Sequence, residues 1–424
     1  MAKIKPFSAL VYNQNKVADL SRVTCPPYDV ISQKQQEFYH KQSPYNLIHL
    51  LLGKDIPDDD KYARAGRMFQ DWIKQDILTK DAKPAIYFYS QEYNILGEKK
   101  TRFGFISLLE LEDKSSPVFK HEYTRCEPKE DRFKLLSKVH ANLSPIFAIF
   151  PDKKRVIRQV FSSYIKNLPC SMQVVDPDSV KHKIWRVDEP ELLKSIQSKM
   201  QDEEIFIADG HHRYEVACLY REHMRKKLGS LDGAEGFNYL MTYFTNTDAR
   251  GLSILPIHRF VHLPSGFNFE SFKELLRENF DVEEVKDSAR FTFLMQKAAM
   301  NEQVIGMYID KKFWLLRLKN IKILDKVIAD KPKEYRRLGV CIFNYLVLNK
   351  ALGMDIEDKS KIIFHHDAQE LMRKLDKEPG GIVFILNPAK MEEIINVALR
   401  GERMPSKSTY FYPKVLSGLV INKF

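Results

Sequence analysis

The chain has few cysteines and no long apolar run. Its five cysteines are widely spaced and form no CxxC pair, so the sequence offers no zinc or redox motif and the thiols are expected to be reduced. No apolar stretch approaches the roughly 18 residues that a transmembrane helix needs. The first residues also lack the continuous apolar segment of a secretory signal. We therefore expect a soluble, cytoplasmic protein with no membrane partner.

Two nucleotide-binding motifs are absent as well. The chain contains no GxxxxGK[ST] loop and no GxGxxG after a predicted strand, so neither a P-loop nor a Rossmann site is supported. This favours a compact anionic ligand over a fully enclosed nucleotide. The formal net charge is +11, but the basic residues are scattered among acids. Because a nucleic-acid groove requires a basic stripe with exposed aromatics, we expect a small polyanion and no nucleic acid as partner.

The most informative segment is the run ADGHHRYE at residues 208–215. An apolar run, residues 205–207, precedes it, and Val216, Leu219 and Tyr220 follow at helical spacing, which predicts a strand, a tight turn and a helix. The start of a helix favours anions, and the Arg213 fork can add two parallel bonds to a phosphate. The alternative is that the two histidines cap the helix and Arg213 pairs with a surface carboxylate.

The remaining pattern predicts an α+β protein. At 424 residues with 44% hydrophobic content, the chain can form two or three domains with full cores. A breaker cluster at residues 263–266 places a boundary there, which gives an N-terminal α/β region, 1–262, and a C-terminal α/β region, 263–424. The apolar tail, 404–424, is predicted to dock near the site. Further strands are predicted at residues 5–11, 85–89, 102–109, 144–151, 252–260, 361–366 and 381–387, and helices at 60–74, 129–136, 270–278 and 368–375.

The ADGHHRYE run resembles the signature of a widespread microbial family of unknown-function domains whose members include pyrophosphate-dependent L-serine kinases. Its DGHHR part also resembles the phosphate-binding motif of the ParB and sulfiredoxin superfamily, which contains nucleotide-dependent free-serine kinases. The resemblance extends over nearly the whole chain, through PFSALVYN, CPPYDV, KEDRFKLL, ANLSPIF, MPSKSTYFYPK and GLV. It implies a mixed-sheet core of the ParB and sulfiredoxin kind with additional α/β layers. It also implies that pyrophosphate, with Mg²⁺, phosphorylates free L-serine to give O-phosphoserine and phosphate.

Phosphoryl transfer needs groups that hold the phosphate, often a divalent ion, and an acid or base for the acceptor's proton. Our catalytic candidates are Asp29 in the PPYD loop, Asp209 at the strand end and His211 at the helix start. Asp209 is also the candidate Mg²⁺ ligand. In the serine kinases that the motifs resemble, an N-terminal acid and the Asp of DGHHR have the catalytic role. Alternatively, Asp29 caps the helix after Val30 and Asp209 accepts bonds from turn amides. Cys25, near the PPYD loop, is the one thiol expected to be reactive.

Other polar residues are candidates for binding. The phosphate-binding set is His212, Arg213, Lys129, Arg132, Lys407 and Lys414, and the substrate-binding set is Tyr28, Asn142, Ser144, His258 and Thr409. Lys129 and Arg132 are three residues apart and could reach one phosphate from one helix face, or they could pair with Glu127 or Glu130 in solvent. The tail residues could equally hold the tail in place.

Two other functions remain open on the sequence. The donor for serine could be ADP or ATP, or the chain could be a nucleotide-binding switch of the ParB kind, in which the DGHHR turn changes a protein interface. Adjacent histidines at 365 and 366 point to opposite faces of a predicted strand, which disfavours a shared metal ion. The sequence does not predict an oligomeric state.

Overall fold

The structure is a computed structural model that describes residues 2–111, 118–124, 126–229, 233, 235–298 and 301–424. The chain divides into two compact units. The first unit comprises Met1–Lys120, Thr124–Ser253 and Pro413–Phe424, and the second unit comprises His121–Tyr123 and Ile254–Tyr412. The domain boundary after residue 262 stays a prediction, whereas the compact units change at Ser253, and the tail from Pro413 onward belongs to the first unit.

Strands and helices alternate along both units. The strands in chain order are β1 (Ile4–Lys5), β2 (Leu10–Tyr12), β3 (Leu78–Lys80), β4 (Ile86–Ile95), β5 (Glu98–Glu110), β6 (Val118–Phe119), β7 (Ala141–Asn142), β8 (Ile146–Phe150), β9 (Met172–Val175), β10 (Lys181–Val187), β11 (Ile205–Asp209), β12 (Tyr239–Asn246), β13 (Ser253–Leu255), β14 (His258–His262), β15 (Phe280–Val285), β16 (Val304–Ile309), β17 (Lys312–Leu318), β18 (Ile362–His365), β19 (Gly381–Ile385), β20 (Tyr410–Tyr412) and β21 (Asn422–Lys423). The helices are α1 (Gln33–Gln42), α2 (Ile48–Leu51), α3 (Lys61–Lys74), α4 (Cys126–Val139), α5 (Val156–Val160), α6 (Pro190–Met200), α7 (His211–Leu228), α8 (Phe269–Arg277), α9 (Ser288–Ala298), α10 (Ile323–Val327), α11 (Lys333–Arg336), α12 (Gly339–Ile342), α13 (Ala368–Lys377) and α14 (Met391–Leu399). Phe161–Ile165 and Phe343–Ala351 continue α5 and α12 as π-helix.

The first unit is built on a mixed sheet. Its strand order in the described residues is β6-β11-β8-β12-β5-β4-β10-β9, with β1 paired to β5. Strand β8 is buried along its whole length, and it runs antiparallel to β11 and parallel to β12. An entirely apolar strand between Pro145 and Pro151 suits this central position. The mixed sheet with its helices confirms the predicted α+β class.

The second unit has its own mixed α/β layer. Its main sheet, within the described residues, has the order β15-β17-β16-β19-β14-β18. Phe260, Leu315 and Val383 from this sheet pack with Phe291 and Leu371 from the adjacent helices. The unit therefore has a core of its own, as the alternation of predicted strands and helices after residue 263 suggested.

Proline splits two of the predicted strands. The strand expected at 5–11 is two short strands, β1 and β2, with Pro6 between them. The strand expected at 252–260 is β13 and β14, with Pro256 between them. Proline has no N–H to give to a sheet, so the ladder stops on either side of it.

Helix starts correct one alternative from the sequence. Ser32 caps α1, and its hydroxyl and the Gln35 side chain form a capping box. Asp29 is therefore not the cap of this helix. In α7, Val216 and Tyr220 are buried, whereas Leu219 is 46% exposed.

No helix among the described residues is both long enough and apolar enough to cross a lipid bilayer.

Candidate active site around Asp209

The strand, turn and helix predicted at residues 205–220 are present as β11, Gly210 and α7. The pairing of β11 with β8 shifts register between Ile207 and Asp209, and such a bulge reorients the side chain that follows it. Gly210 has a φ of 90°, which is costly for residues with a Cβ. A Cβ there would also lie 2.9 Å from Ile146 and 3.0 Å from the Arg213 guanidinium. Glycine therefore lets the arginine fold back over the turn.

Asp209 lies between two cations. Its Oδ2 accepts a hydrogen bond from Arg213 Nη2 at 2.8 Å, and its Oδ1 accepts one from Lys414 Nζ. Burial by itself would raise the pKa of Asp209, but the charges of Lys414 and Arg213, with a smaller contribution from His211, outweigh it and lower the pKa to about 2. The carboxylate is thus ionised at neutral pH. It is suited to holding these two cations, and it is a weak base.

Arg213 is anchored but not saturated. Besides Asp209, it donates to the carbonyl of Pro145, which fixes the guanidinium at the end of β8. Its Nε is buried and has no hydrogen-bond partner among the described residues. A buried donor without a partner costs free energy unless a ligand or water completes it. The predicted surface carboxylate is instead the partly buried Asp209, and the arginine keeps one donor for an anion.

A pocket lies beside Arg213 in the first unit. The space between its lining atoms is about 520 Å³, part of it open to solvent. Its polar lining contains five of the residues predicted from the sequence, which are Tyr28, Arg132, Asn142, Ser144 and Arg213. Its apolar lining comprises Leu51, Leu135, Leu136, Ala141, Leu143, Val216, Ala217 and Leu240. The structure therefore brings residues from four separate sequence segments to one cavity.

Tyr28 and Arg132 form one wall of this pocket. The Arg132 guanidinium lies over the Tyr28 ring, 4.2 Å from its centroid, a favourable cation–π geometry. Arg132 also donates to Leu51 O at 2.8 Å and to the Asp131 carboxylate at 2.7 Å. Burial and the adjacent charge of Asp29 raise the pKa of Tyr28 to about 12, although the nearby guanidinium groups oppose the shift. The phenol is neutral at physiological pH and can donate a hydrogen bond.

Ser144 and Asn142 line the pocket and also hold the chain tail. The hydroxyls of Ser144 and Ser417 are 2.6 Å apart. The Asn142 side-chain oxygen accepts from Met241 N at 3.0 Å and from Asn422 Nδ2 at 3.1 Å. Asn142 thus has structural partners, whereas the Ser144 hydroxyl remains on the pocket wall.

Lys129 and Arg132 point to different partners. Lys129 Nζ lies 3.4 Å from the Glu215 carboxylate, which also accepts a hydrogen bond from Thr124 and lies 3.7 Å from Lys120. The partner of Lys129 is therefore Glu215, the last residue of ADGHHRYE, and not Glu127 or Glu130. Lys129 does not line the pocket with Arg132, so the two are not held against one common site.

The other catalytic candidates lie at the ends of these elements. Asp29 is exposed, within the 3-10 turn Tyr28–Val30, and it has no hydrogen bond or ion pair among the described residues. His211 is buried in the first turn of α7 and His212 is half-buried. Asp29 is thus the catalytic candidate whose carboxylate is exposed and unpaired among the described residues.

Three candidates belong to the second unit. The backbone of Lys407 donates to Glu122 Oε1 at 2.9 Å, and Thr409 Oγ1 lies 3.2 Å from His121 Nε2. His258 is buried and accepts a hydrogen bond from Leu386 N at 3.2 Å. These contacts hold local structure within the second unit, and the assignment of the three residues to substrate or phosphate stays a prediction.

The sequence did not indicate what holds Lys414 in place. Arg102 is fully buried in β5 and donates to Pro413 O at 2.5 Å. Gln91 receives a bond from Arg102 and donates to Lys414 O at 2.8 Å. The one signal was a charged residue at the start of the strand predicted at 102–109, and it gave no partner because the tail is more than 300 positions away in sequence.

The predicted reactivity of Cys25 is wrong. Cys25 is 1% exposed, and its backbone pairs with Ser417. Burial raises the pKa of its thiol far above the ordinary value. Because the thiolate is the reactive form, this cysteine is expected to be inert.

The residues near Asp209 do not fit a protein-held magnesium site. Both carboxylate oxygens already face cations, and the described residues include no group of three or more His, Cys, Asp or Glu side chains arranged for a metal. The assignment of Asp209 as a Mg²⁺ ligand therefore stays a prediction that this geometry does not favour.

A family model described as "Protein of unknown function (DUF1015)" matches residues 4–341. The chain belongs to this family. The MPSKSTYFYPK segment at residues 404–414 lies outside the matched range. A comparison with curated proteins found no match.

Three solved structures are similar to the chain at low identity. One is a free serine kinase mutant in complex with AMP, with 14% identity and a TM-score of 0.36, covering 72% of this chain and 87% of that one. Another is a conserved hypothetical protein from Pyrococcus furiosus, with 15% identity and a TM-score of 0.34, covering 73% and 92%. The third is SbnI with C-terminal truncation from Staphylococcus aureus, with 14% identity and a TM-score of 0.34, covering 74% and 86%. Likenesses this distant leave the function to be argued from the site itself.

Proposed function

We propose that this family member is a small-molecule phosphotransferase that transfers a phosphoryl group from pyrophosphate to the hydroxyl of free L-serine. The observation that carries the proposal is Arg213, which is anchored by Asp209 and Pro145 but whose buried Nε donor has no hydrogen-bond partner in the part of the chain that the structure describes. A fixed guanidinium at a helix start is suited to a phosphate group. The resemblance of the ADGHHRYE run to the signature of a family with pyrophosphate-dependent L-serine kinases supports this donor and acceptor.

The lining of the pocket supports a compact donor. Its walls carry two guanidinium groups, Arg132 and Arg213, and apolar side chains. The sequence also contains no glycine-rich motif of the kind that encloses a nucleoside triphosphate. Pyrophosphate is our first choice, and ADP or ATP is the alternative donor.

The reaction balances without a redox partner. The serine hydroxyl oxygen attacks one phosphorus of pyrophosphate, the bridging P–O bond breaks, and inorganic phosphate leaves. The proton of the hydroxyl must pass to a base. We assign this role to Asp29, because it has no competing partner among the described residues, whereas the pKa of Asp209 is about 2. Asp209 then has the role of orienting Arg213 and Lys414.

The direct test crosses pyrophosphate, ADP and ATP with L-serine, L-threonine and glycerol, each with and without Mg²⁺, and measures both phosphate and O-phosphoserine. We expect O-phosphoserine to form in amounts equal to the phosphate released when pyrophosphate and serine are both present. Formation of O-phosphoserine with ADP or ATP, but not with pyrophosphate, would replace pyrophosphate as the assigned donor. Nucleotide hydrolysis with no phosphorylated acceptor would contradict the proposal and favour the ParB-like switch.

A matched pair of variants ties the activity to the site. Arg213→Ala removes the anchored guanidinium, and Lys226→Ala removes an exposed cation from the last turn of the same helix. Loss of transfer in the first variant and its retention in the second would support the proposal. Equal activity in both folded variants would place the chemistry elsewhere.

A further inference from the structure

The second unit contains a buried arginine that no acid neutralises. Arg259, in β14, is 3% exposed. Its guanidinium donates to the carbonyls of Ile257 and, at 3.1 Å, Lys407. It also lies 5.5 Å from the Phe343 ring and 5.8 Å from the Phe364 ring. No carboxylate pairs with it among the described residues, and burial lowers the pKa of Arg259 to about 9. Because a guanidinium has five N–H donors, these two carbonyls leave donors for another partner.

This arginine lines a cavity of its own unit. The cavity encloses about 850 Å³, part of it open to solvent, and its polar lining includes Gln303, Asn387, Lys390 and Ser408. We refer to it as the Arg259 pocket. Its lining is more polar than that of the pocket beside Arg213.

Gly339, the first residue of α12, lies on the same lining. The N–H groups of Cys341 and Ile342 already donate to Leu338 O, so the buried guanidinium is the anion-binding feature of this pocket.

The acids on the lining are already engaged. The Glu302 carboxylate pairs with Arg317. The Glu393 carboxylate accepts a hydrogen bond from Lys390 N at 2.8 Å. Neither carboxylate forms an ion pair with Arg259 in the described part of the chain.

We propose that the Arg259 pocket is a second binding site, separate from the chemistry at Asp209, for a small anion that carries a phosphate or carboxylate group. Both groups present oxygens that a guanidinium can bind in pairs. The proposal does not depend on phosphoryl transfer, because it rests on contacts within the second unit alone.

Gly339 allows a sharp test. A Cβ added there would meet only Gln303 Oε1, at 3.9 Å, so Gly339→Asp can place a carboxylate at the pocket without crowding. An acidic residue in the first turn also suits a helix. The matched control is Ser288→Asp, which adds the same charge to the exposed first residue of α9, outside the pocket lining. Arg259→Met removes the guanidinium directly.

The measurement is backbone hydrogen exchange by mass spectrometry on the full chain, with inorganic phosphate or acetate titrated at constant ionic strength. In the wild type and Ser288→Asp we expect slower exchange in peptides covering residues 339–343 and 387–391. In Gly339→Asp we expect the anion concentration for half protection to rise by about tenfold or more, since repulsion replaces a charge-assisted contact. A folded Arg259→Met variant should behave in the same way.

The choice of anion identifies the ligand chemistry. Protection by phosphate alone indicates a phosphate site, and protection by acetate as well indicates that a carboxylate suffices. The proposal would be overturned if neither phosphate nor acetate slowed exchange in the wild type. It would also be overturned if the anion concentration for half protection were the same in Gly339→Asp as in the wild type. Because Arg213→Ala leaves the second unit unaltered, protection there should persist in that variant even if all transfer activity is lost.

Discussion

Asp209 in the first unit and Arg259 in the second unit are both buried charges, but they are balanced in opposite ways. Asp209 is held by two cations, Arg213 and Lys414. Arg259 is held by carbonyl oxygens and aromatic rings, and no acid among the described residues pairs with it. The first arrangement satisfies the acid and fixes the cations around it. The second leaves a positive charge that an external anion can neutralise.

A charge that positions its neighbours can be distinguished from a charge that binds a ligand by the effect of removing it. Removing one member of a buried pair leaves the other uncompensated, which costs stability. Removing a buried cation that has no acid partner leaves no orphaned carboxylate. Variants of Asp209 should therefore damage folding as well as function, whereas Arg259→Met should chiefly damage anion binding.

The largest effect is expected for Asp209→Asn. The variant leaves Arg213 and Lys414 buried without their carboxylate, so we expect the free energy of unfolding to fall by about 3–5 kcal/mol. Turnover of the remaining folded enzyme should fall by about 100-fold or more, because both cations lose their position. Urea unfolding and O-phosphoserine formation measure the two effects. A variant as stable as the wild type would contradict the stability difference expected between Asp209 and Arg259 variants.

Arg213→Ala should follow in size. Loss of the anchored guanidinium should raise the activation free energy of phosphoryl transfer by about 2–4 kcal/mol, because the guanidinium is proposed to contact the transferring phosphoryl group. The readout is kcat/KM for pyrophosphate, with Lys226→Ala as the control on the same helix. Kinetics close to wild type in a folded Arg213→Ala variant would contradict the assignment.

Lys414→Met separates the role of the tail in the site from its role in the core. The sequence suggested that deleting residues 404–424 would harm activity more than stability. The structure makes that deletion uninformative, because Val415, Leu416 and Ile421 are buried in the first unit. Lys414→Met keeps this packing and removes only the cation. We expect kcat/KM to fall by an amount equivalent to about 2 kcal/mol of activation free energy, as for an interaction made to a charged group. The control is Lys423→Met, which changes an exposed tail lysine and should have little effect. A larger fall in melting temperature than in activity would assign Lys414 to stability.

Acid should weaken the same cluster. The pKa of Asp209 is lowered from 3.8 to about 2 in the folded state, so the carboxylate stabilises the fold above the unfolded value. This contribution, about 2 kcal/mol, should be lost as the pH falls from about 4 to about 2. Urea unfolding across this range, compared with Asp209→Asn, measures it. A pH dependence that is the same in both proteins would assign the loss to other acids.

The local part of the site could be predicted from the sequence. The apolar run before Asp209, the glycine and the helical spacing after Arg213 gave the strand, turn and helix, because those signals act over a few residues. The meeting of Tyr28, Ser144 and Arg213 at one pocket could be anticipated only as a set of candidates, since nothing in their spacing specifies a distance.

The partners of these residues could not be predicted. Lys129 pairs with Glu215, and Arg102 binds the backbone at Pro413. Both contacts join segments far apart in sequence, and many lysines, arginines and carbonyls would have satisfied the same local pattern. His258 was predicted to contact substrate. It lies in the second unit, and its role stays a prediction. Such contacts follow from the packing of whole layers.

The smallest effect is expected for Tyr28→Phe, which tests whether the pocket wall acts through its ring or its hydroxyl. The Arg132 guanidinium lies 4.2 Å from the ring centroid, and phenylalanine keeps that face. Because the pKa of Tyr28 is about 12, its hydroxyl carries no charge at neutral pH and can contribute only a neutral hydrogen bond, worth about 1 kcal/mol. We therefore expect a rise in KM for serine of about fivefold or less, with kcat and the melting temperature nearly unchanged. A fall in kcat of about 100-fold would instead make the hydroxyl part of the proton path. Asp29→Asn would then distinguish the two groups. If Asp29 is the base, this substitution should lower kcat while the Tyr28–Arg132 contact stays in place.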